Sequence, residues 1–320
     1  MQCITREDRI MNEEIPNPLI FDRNEARVAA EQYFSKQLDL LKDLANYGSN
    51  LIVRAFNSSP KNVSEIIVCG VLLKQIVTML DSTEVLLRAG CGPVTQLPTR
   101  AALEASIAID WILKSESEYR ASCYLVGNYR AERTWTLRSI PGTPEHEEFS
   151  RQNSVQYRMT ERVTANESIF RQRLEEIEVA LSQPELCKIN EVFSGQRKKS
   201  GRNHDPDWYV VAGAKSIQKM ADNVGRSAEY NIFYSIGSNS VHGKSHKAHI
   251  AFQGTKVHFK PIRHLDGMDA LIGQMVAITL GTYRKILNAY RPEELSSFAN
   301  TYQDGWQAPF RDIPKLAYEF

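Results

Sequence analysis

Residues 101–114, AALEASIAIDWILK, are apolar on almost every side of a helix. A helix of that kind is buried on most faces, so other elements must surround it. The flanking sequence supplies helices and little else. From Glu25 to Phe56 the apolar set Val28, Tyr33, Phe34, Leu38, Leu41, Leu44, Leu51, Ile52 and Ala55 recurs at mostly three-to-four spacing, which predicts one long amphipathic helix. Ser59 and Pro60 read as an N-cap and first-turn pair for a second helix running to Ala89, with Gly90 as its stop. CGPVTQLP is a turn, and Pro98 opens the apolar helix.

A fourth helix is expected over about Glu118 to Leu137, and Thr143 with Pro144 caps a fifth. Two charged helices follow, with a break near Asn166, and another starts at Pro184. Residues 194–207, SGQRKKSGRNHDPD, read as a basic loop. Helices over about 213–224 and 227–242 come next. AHIAF and KVHFK, flanking QGT, then predict a small hairpin near 248–260. Asp266 is the expected cap of a last long helix that ends before Pro292.

The fold class is therefore all-α, a large helical bundle with one small β-hairpin. No internal repeat of solenoid period occurs. The expected organisation is an N-terminal arm over 1–25, a helical domain over 26–290, and a C-terminal extension over 291–320. The helical domain forms either one core or two packed lobes, 26–138 and 144–290. With 42% hydrophobic and 24% charged residues, the chain has the composition of an ordinary globular protein able to bury a large core. Its apolar helices exceed what one compact bundle needs, which predicts a homodimer.

The N-terminal MQCITREDRIMNEE carries charges of both signs and lacks a signal-peptide core. The apolar run 66–80 is broken by Lys74 and Gln75, so no membrane span is expected. Five scattered cysteines, with no C-x-x-C pair, fit a reducing cytoplasm.

Net charge is only +1, yet from Tyr230 through Leu265 there is no acidic residue. The same stretch holds Lys244, Lys247, Lys256, Lys260, Arg263 and five histidines. Arg197, Lys198, Lys199 and Arg202 form a second basic cluster. Such clusters suit RNA or nucleotide phosphates, or a protein partner; they also occur as solvated basic faces.

Candidate chemistry lies in two spacings. Arg100 and Glu104 are four apart and share a helix face, either as a structural ion pair or as the lining of a cleft. In YNIFYSIGSNSVHG, Tyr230, Tyr234, Ser238 and His242 recur every fourth residue. His242 is either a helix end satisfied by terminal carbonyls or a general acid–base. No nucleophile elbow accompanies Ser238. His242, His246 and His249 cross from helix to loop with no acid or Cys nearby, so neither a metal nor another cofactor is expected.

R-A-A-L-E at 100–104, Arg120 and Tyr124, W-Y at 208–209, and Y-x-x-x-S-x-x-V-H-G at 234–243 together resemble a widespread bacterial family catalogued as a domain of unknown function. The likeness runs over roughly 30–290 and implies a helical intracellular protein. More distantly, the chain resembles HEPN ribonucleases of toxin and antiphage systems, which cut RNA without metal using an Arg and a His. Their Arg-to-His spacing occurs here at Arg197 and His204 rather than before His242. This resemblance implies a cytoplasmic endoribonuclease with His242, Arg100, Glu104 and Arg120 as catalytic candidates. Tyr124, Tyr234, Ser238, Lys244, Lys247, Arg197 and Arg202 are the binding candidates. A sensor or adaptor that binds RNA, a nucleotide or a protein without turnover is the alternative, and a purely structural helical protein is a third.

Overall fold

A computed structural model describes residues 23–56, 59, 61–153, 166–201, 204–234, 237 and 246–316. The long helices are α1 (Arg23–Phe56), α2 (Val63–Arg88), α3 (Gln96–Lys114) and α4 (Ser117–Arg138). They are followed by α5 (Pro144–Asn153), α6 (Glu167–Ser182) and α7 (Pro184–Ser200). Short helices α8 (Trp208–Val211), α9 (Ile217–Asn223) and α10 (Ser227–Glu229) lead into a π-turn at Tyr230–Tyr234. Then come strands β1 (Ile250–Gln253) and β2 (Lys256–Phe259), the long helix α11 (Met268–Tyr290), and α12 (Leu295–Thr301) and α13 (Gln307–Arg311). The protein is all-α with one small antiparallel hairpin, as its periodicity predicts.

The core is built on α3. Ala102, Leu103, Ser106, Ile107, Ile109, Trp111 and Ile112 are buried against α2, α4 and α11. On α1 the buried stripe is Phe34, Leu38, Leu41, Leu44, Leu51 and Ala55, whereas Val28 and Tyr33 lie outside it and are exposed. α2 is long and apolar enough to cross a membrane by length and composition, with a mean hydropathy of 1.8 over its most apolar window. That exceeds what the run broken at Lys74 suggests. The helix packs between α1 and α3, as the central helix of a bundle does. Tyr283 of α11 is fully buried and donates to the Leu44 carbonyl at 2.8 Å. It can lie there because position 48 is glycine: a Cβ on Gly48 would stand 2.0 Å from Tyr283 Oη.

Several helix ends differ from the sequence reading. α2 is capped by Asn62, whose Oδ1 accepts from the Ser64 amide at 2.8 Å, so it opens after Ser59–Pro60. Among the described residues Ser59 Oγ accepts from the near-by Lys61 amide. The expected basic loop is helical to Ser200, and Arg197, Lys198 and Lys199 form its last turn before Gly201 at φ +63°. Lys and Arg are good helix formers and favour the negative end of the dipole, which outweighs the loop-like composition beyond them. α11 is preceded by Gly267 at φ +76°, while Asp266 accepts from Lys260 Nζ instead of capping. The hairpin loop is two residues long, Gly254 and Thr255, because Gln253 pairs with Lys256.

Past α11 the chain folds back along α1. Gln37 Nε2 donates to the carbonyls of Pro309 and Asp312 at 3.0 and 3.2 Å, and Phe298 and Trp306 pack round Tyr47.

Candidate functional site

Arg100 lies in the first turns of α3, at the edge of the core, with its guanidinium held from two sides. Nε donates to Glu104 Oε1 at 2.9 Å and Nη2 to the Tyr234 hydroxyl at 2.8 Å. The guanidinium carbon is also 4.2 Å from the centre of the Tyr234 ring. Tyr230 stacks on Tyr234 with ring centres 4.4 Å apart. Gly237 closes over the stem of Arg100: a Cβ there would stand 2.8 Å from Arg100 Cβ. The spacing-derived pair Arg100–Glu104 is thus an ion pair, partly exposed and joined by the Tyr234 segment.

The segment reaches α3 through Arg226. Its Nη1 donates to Ser106 Oγ at 2.6 Å and Asp110 Oδ2 at 2.9 Å, while Nε and Nη2 bind the Glu229 carboxylate at 2.6 Å each. Burial works against the charged guanidinium, and Glu229 and Asp110 more than offset it, so the Arg226 pKa is raised. Asp110 is pushed up by burial against the pull of Arg226 and Lys285. With Arg226 fixed, the following π-turn sets Tyr230 and Tyr234 on the Arg100 side. π-turns of this kind are rare and recur at functional sites. Burial, Tyr234 and Glu104 together push the Tyr230 hydroxyl up to about 12. Tyr209 is raised by burial and by Asp207, to which it donates at 2.7 Å, with Tyr234 and Glu104 adding to the shift. The site is a cluster of three phenols, Tyr209, Tyr230 and Tyr234, around the Arg100–Glu104 pair.

Arg120 stands apart from this cluster. Its Nη1 donates to the Trp111 carbonyl at 2.5 Å, its guanidinium lies 4.1 Å from the centre of the Trp111 ring, and Glu116 is 3.9 Å away. Trp111 is eleven residues beyond Arg100, about 16 Å along the helix axis. Burial lowers the Arg120 pKa, and its Nε has no hydrogen-bond partner among the described residues. Tyr124 meets Trp208 edge-on at 5.2 Å, and Trp208 in turn neighbours Trp111 at 5.8 Å and Tyr209 at 5.9 Å. These rings bridge the Arg120 and Arg100 ends of α3.

Arg197 faces a third region. It lies 3.7 Å from Asp205, which Arg130 grips with two hydrogen bonds of 2.8 and 2.9 Å. Arg197 and His204 both line a cleft of about 800 Å³ with Trp135, Arg138 and Phe149. His242, Ser238, Lys244 and Arg202 lie outside the described residues, as does the side chain of Lys247. Among the described residues no group of three or more His, Cys, Asp or Glu side chains could hold a metal.

Residues 66–255 match the model of a family of unknown function, DUF5677. The chain belongs to that family. The DUF5677 match takes in α3, α4, the Arg226 latch and the segment to β1, so both motifs joined at Arg100 lie inside it. α1, β2 and α11 lie beyond the DUF5677 span, although α1 and α11 complete the core. No curated protein and no solved structure matches the chain. The comparisons lend no support to the HEPN resemblance.

Sequence reading missed Arg226, Asp110 and Tyr209 as parts of this site. Asp110 carried the readable signal, since a carboxylate inside AALEASIAIDWIL has to find a cation. The cation is 116 residues away, and no local spacing identifies it.

Proposed function

We propose that the protein binds RNA at the Arg100 cluster and cleaves it by acid–base chemistry, with His242 as the proton-transfer group. One observation carries this reading: the R-x-x-x-E and Y-x-x-x-S-x-x-V-H-G motifs, 130 residues apart in sequence, meet through the Tyr234–Arg100 bond and the Gly237 contact. His242 is five residues past Gly237, a reach of at most about 17 Å of extended chain. In the proposed reaction the ribose 2′-hydroxyl attacks the adjacent phosphorus and the 5′-oxygen leaves, giving a 2′,3′-cyclic phosphate. His242 takes the 2′-hydroxyl proton while water protonates the leaving 5′-oxygen, or His242 supplies that proton while water accepts the one from the 2′-hydroxyl. Arg100 faces the charge that builds on the phosphoryl oxygens. The distance of Arg120 from the cluster favours Arg100 for that role.

Incubating the protein with total RNA in EDTA tests the reading. Cyclic-phosphate ends should accumulate with the parent chain and not with His242→Ala of unchanged melting temperature. Equal cleavage by both would refute the role of His242. A second reading, binding without turnover, is favoured by one contact: Glu104 already balances the charge of Arg100 at 2.9 Å. Intact RNA, with binding lost in Arg100→Ala, is the result that selects it.

A further inference from the structure

The hairpin β1–β2 is turned the unusual way round. Residues directly opposite in an antiparallel pair share a face. The pairs Ile250–Phe259 and Phe252–Val257 make one face, and Ala251–His258 and Gln253–Lys256 the other. Ala251 and His258 are partly covered and the His258 ring has a buried Nε2, whereas Gln253 and Lys256 at the tip are exposed, so the mixed face meets the body at the Ala251–His258 pair. On the apolar face Ile250 is partly covered, but Phe259 is 85% exposed, Phe252 65% and Val257 53%; Ile262, three residues further along the chain, is 77% exposed. At roughly 150–250 Å² per aromatic side chain, the two phenylalanines alone offer on the order of 300 Å². Patches of that size on a single chain are commonly functional.

We infer that this face binds single-stranded RNA, with Phe252 and Phe259 each stacking one base; this rests on the RNA reading above and names the strand form it takes. Phe252 and Phe259 sit diagonally across the two strands, roughly 7–8 Å apart from backbone to backbone and somewhat less between Cβ atoms. That spacing lets two neighbouring unstacked bases take one ring each, the way aromatic pairs on a sheet read single strands. Charge selects the occupant. The sequence has no acid from Tyr230 through Leu265, and Lys256, at the hairpin tip on the face opposite the phenylalanines, is exposed and makes no ion pair among the described residues. A second copy would bring these cations against themselves, whereas a nucleic acid offers π-faces together with phosphates. Base pairing would hide the π-faces, so a duplex is not the fitting ligand.

The test uses the full chain carrying His242→Ala, so that cleavage plays no part, and a fluorescein-labelled uridine dodecamer followed by anisotropy. Phe252→Ala and Phe259→Ala should each weaken binding about tenfold and the double variant about a hundredfold. Phe259→Tyr keeps the ring and should stay within about threefold of the parent. Raising salt from about 50 to about 200 mM should weaken the parent further. Because these side chains are exposed, melting temperatures should not move. Absence of binding by the parent, or equal binding by parent and double variant, overturns the inference even if the wild-type chain cleaves RNA. A parent that sediments as a dimer, with the double variant a monomer, assigns the face to a second copy and overturns it too. Loss of binding in the double variant alongside a wild-type chain that cuts nothing leaves the hairpin as an RNA-binding face and removes only the cleavage step.

Discussion

The bundle of α1, α2, α3 and α11 and the segment from Arg226 to His264 are held by different physics. In the bundle the buried apolar side chains form one contiguous cluster, so position is set redundantly and no single polar contact decides it. The described residues of that segment bury few apolar side chains. It is fixed at points: Arg226 on Asp110 and Ser106, Tyr234 on Arg100, and His264 on the Ala248 carbonyl. Such thinly packed regions open at lower free energy than the core. The candidate site is split between them: Tyr234 belongs to the latched segment, and Arg100 with Glu104 to the α3 face against which it is latched.

The largest effects should come from the core. Gly48→Ala puts a methyl 2.0 Å from Tyr283 Oη and 2.6 Å from Val77 Cγ2, where neither side can yield. A loss of about 3 kcal/mol in urea unfolding is expected. Gly281→Ala on α11 is the control, because nothing lies within 4 Å of the added Cβ. Helix propensity should there give a gain of about 0.5–1 kcal/mol. If the two changes have the same sign, Tyr283 is not clamped against α1 as described.

A smaller and more local effect is expected at the latch. Arg226→Met leaves Asp110 and Glu229 facing a buried thioether in place of a guanidinium. About 2 kcal/mol should be lost, since breaking a largely buried pair strands the remaining charge. The sharper readout is hydrogen exchange, which should quicken over 227–234 while the amides of α3 keep their protection. Uniform quickening along the chain would show that Arg226 belongs to the core and not to a separate latch.

This division also explains what the sequence discloses. Apolar periodicity is a property of neighbouring residues, so α1, α3, α4 and α11 can be read from it, as can the hairpin from its alternation. Caps are decided by competition among adjacent polar side chains. Asn62 outcompetes Ser59, and Asp266 is drawn to Lys260 instead of the helix amides. The site is harder still, because its partners are remote. Arg100 and Glu104 announce each other by spacing, but nothing local announces Tyr234 or Gly237. Grouping Arg120 with Arg100 fails for a geometric reason. The two-residue turn from α3 to α4, with Glu116 at φ +49°, puts the start of α4 beside Trp111, at the far end of α3 from Arg100.

The smallest effect should arise where segment and core join. His264 is buried, pairs backbone-to-backbone with Cys91, and binds the Ala248 carbonyl through Nε2 at 3.0 Å. Burial first, then Lys260 and His249, lower its pKa, while Ala248 and Asp266 pull the other way. A histidine whose folded pKa lies below its unfolded one takes up protons more readily when unfolded. Its contribution is therefore present in full above the ordinary histidine value of about 6.5 and drains away as pH falls through the lower folded value. Melting temperature should drop over that acidic window and stay level above it. His264→Gln should flatten this part of the profile without changing the loss that acids cause at still lower pH. An unchanged slope in the Gln variant would mean that another group carries the dependence and that the hairpin is anchored to Cys91 by its backbone alone.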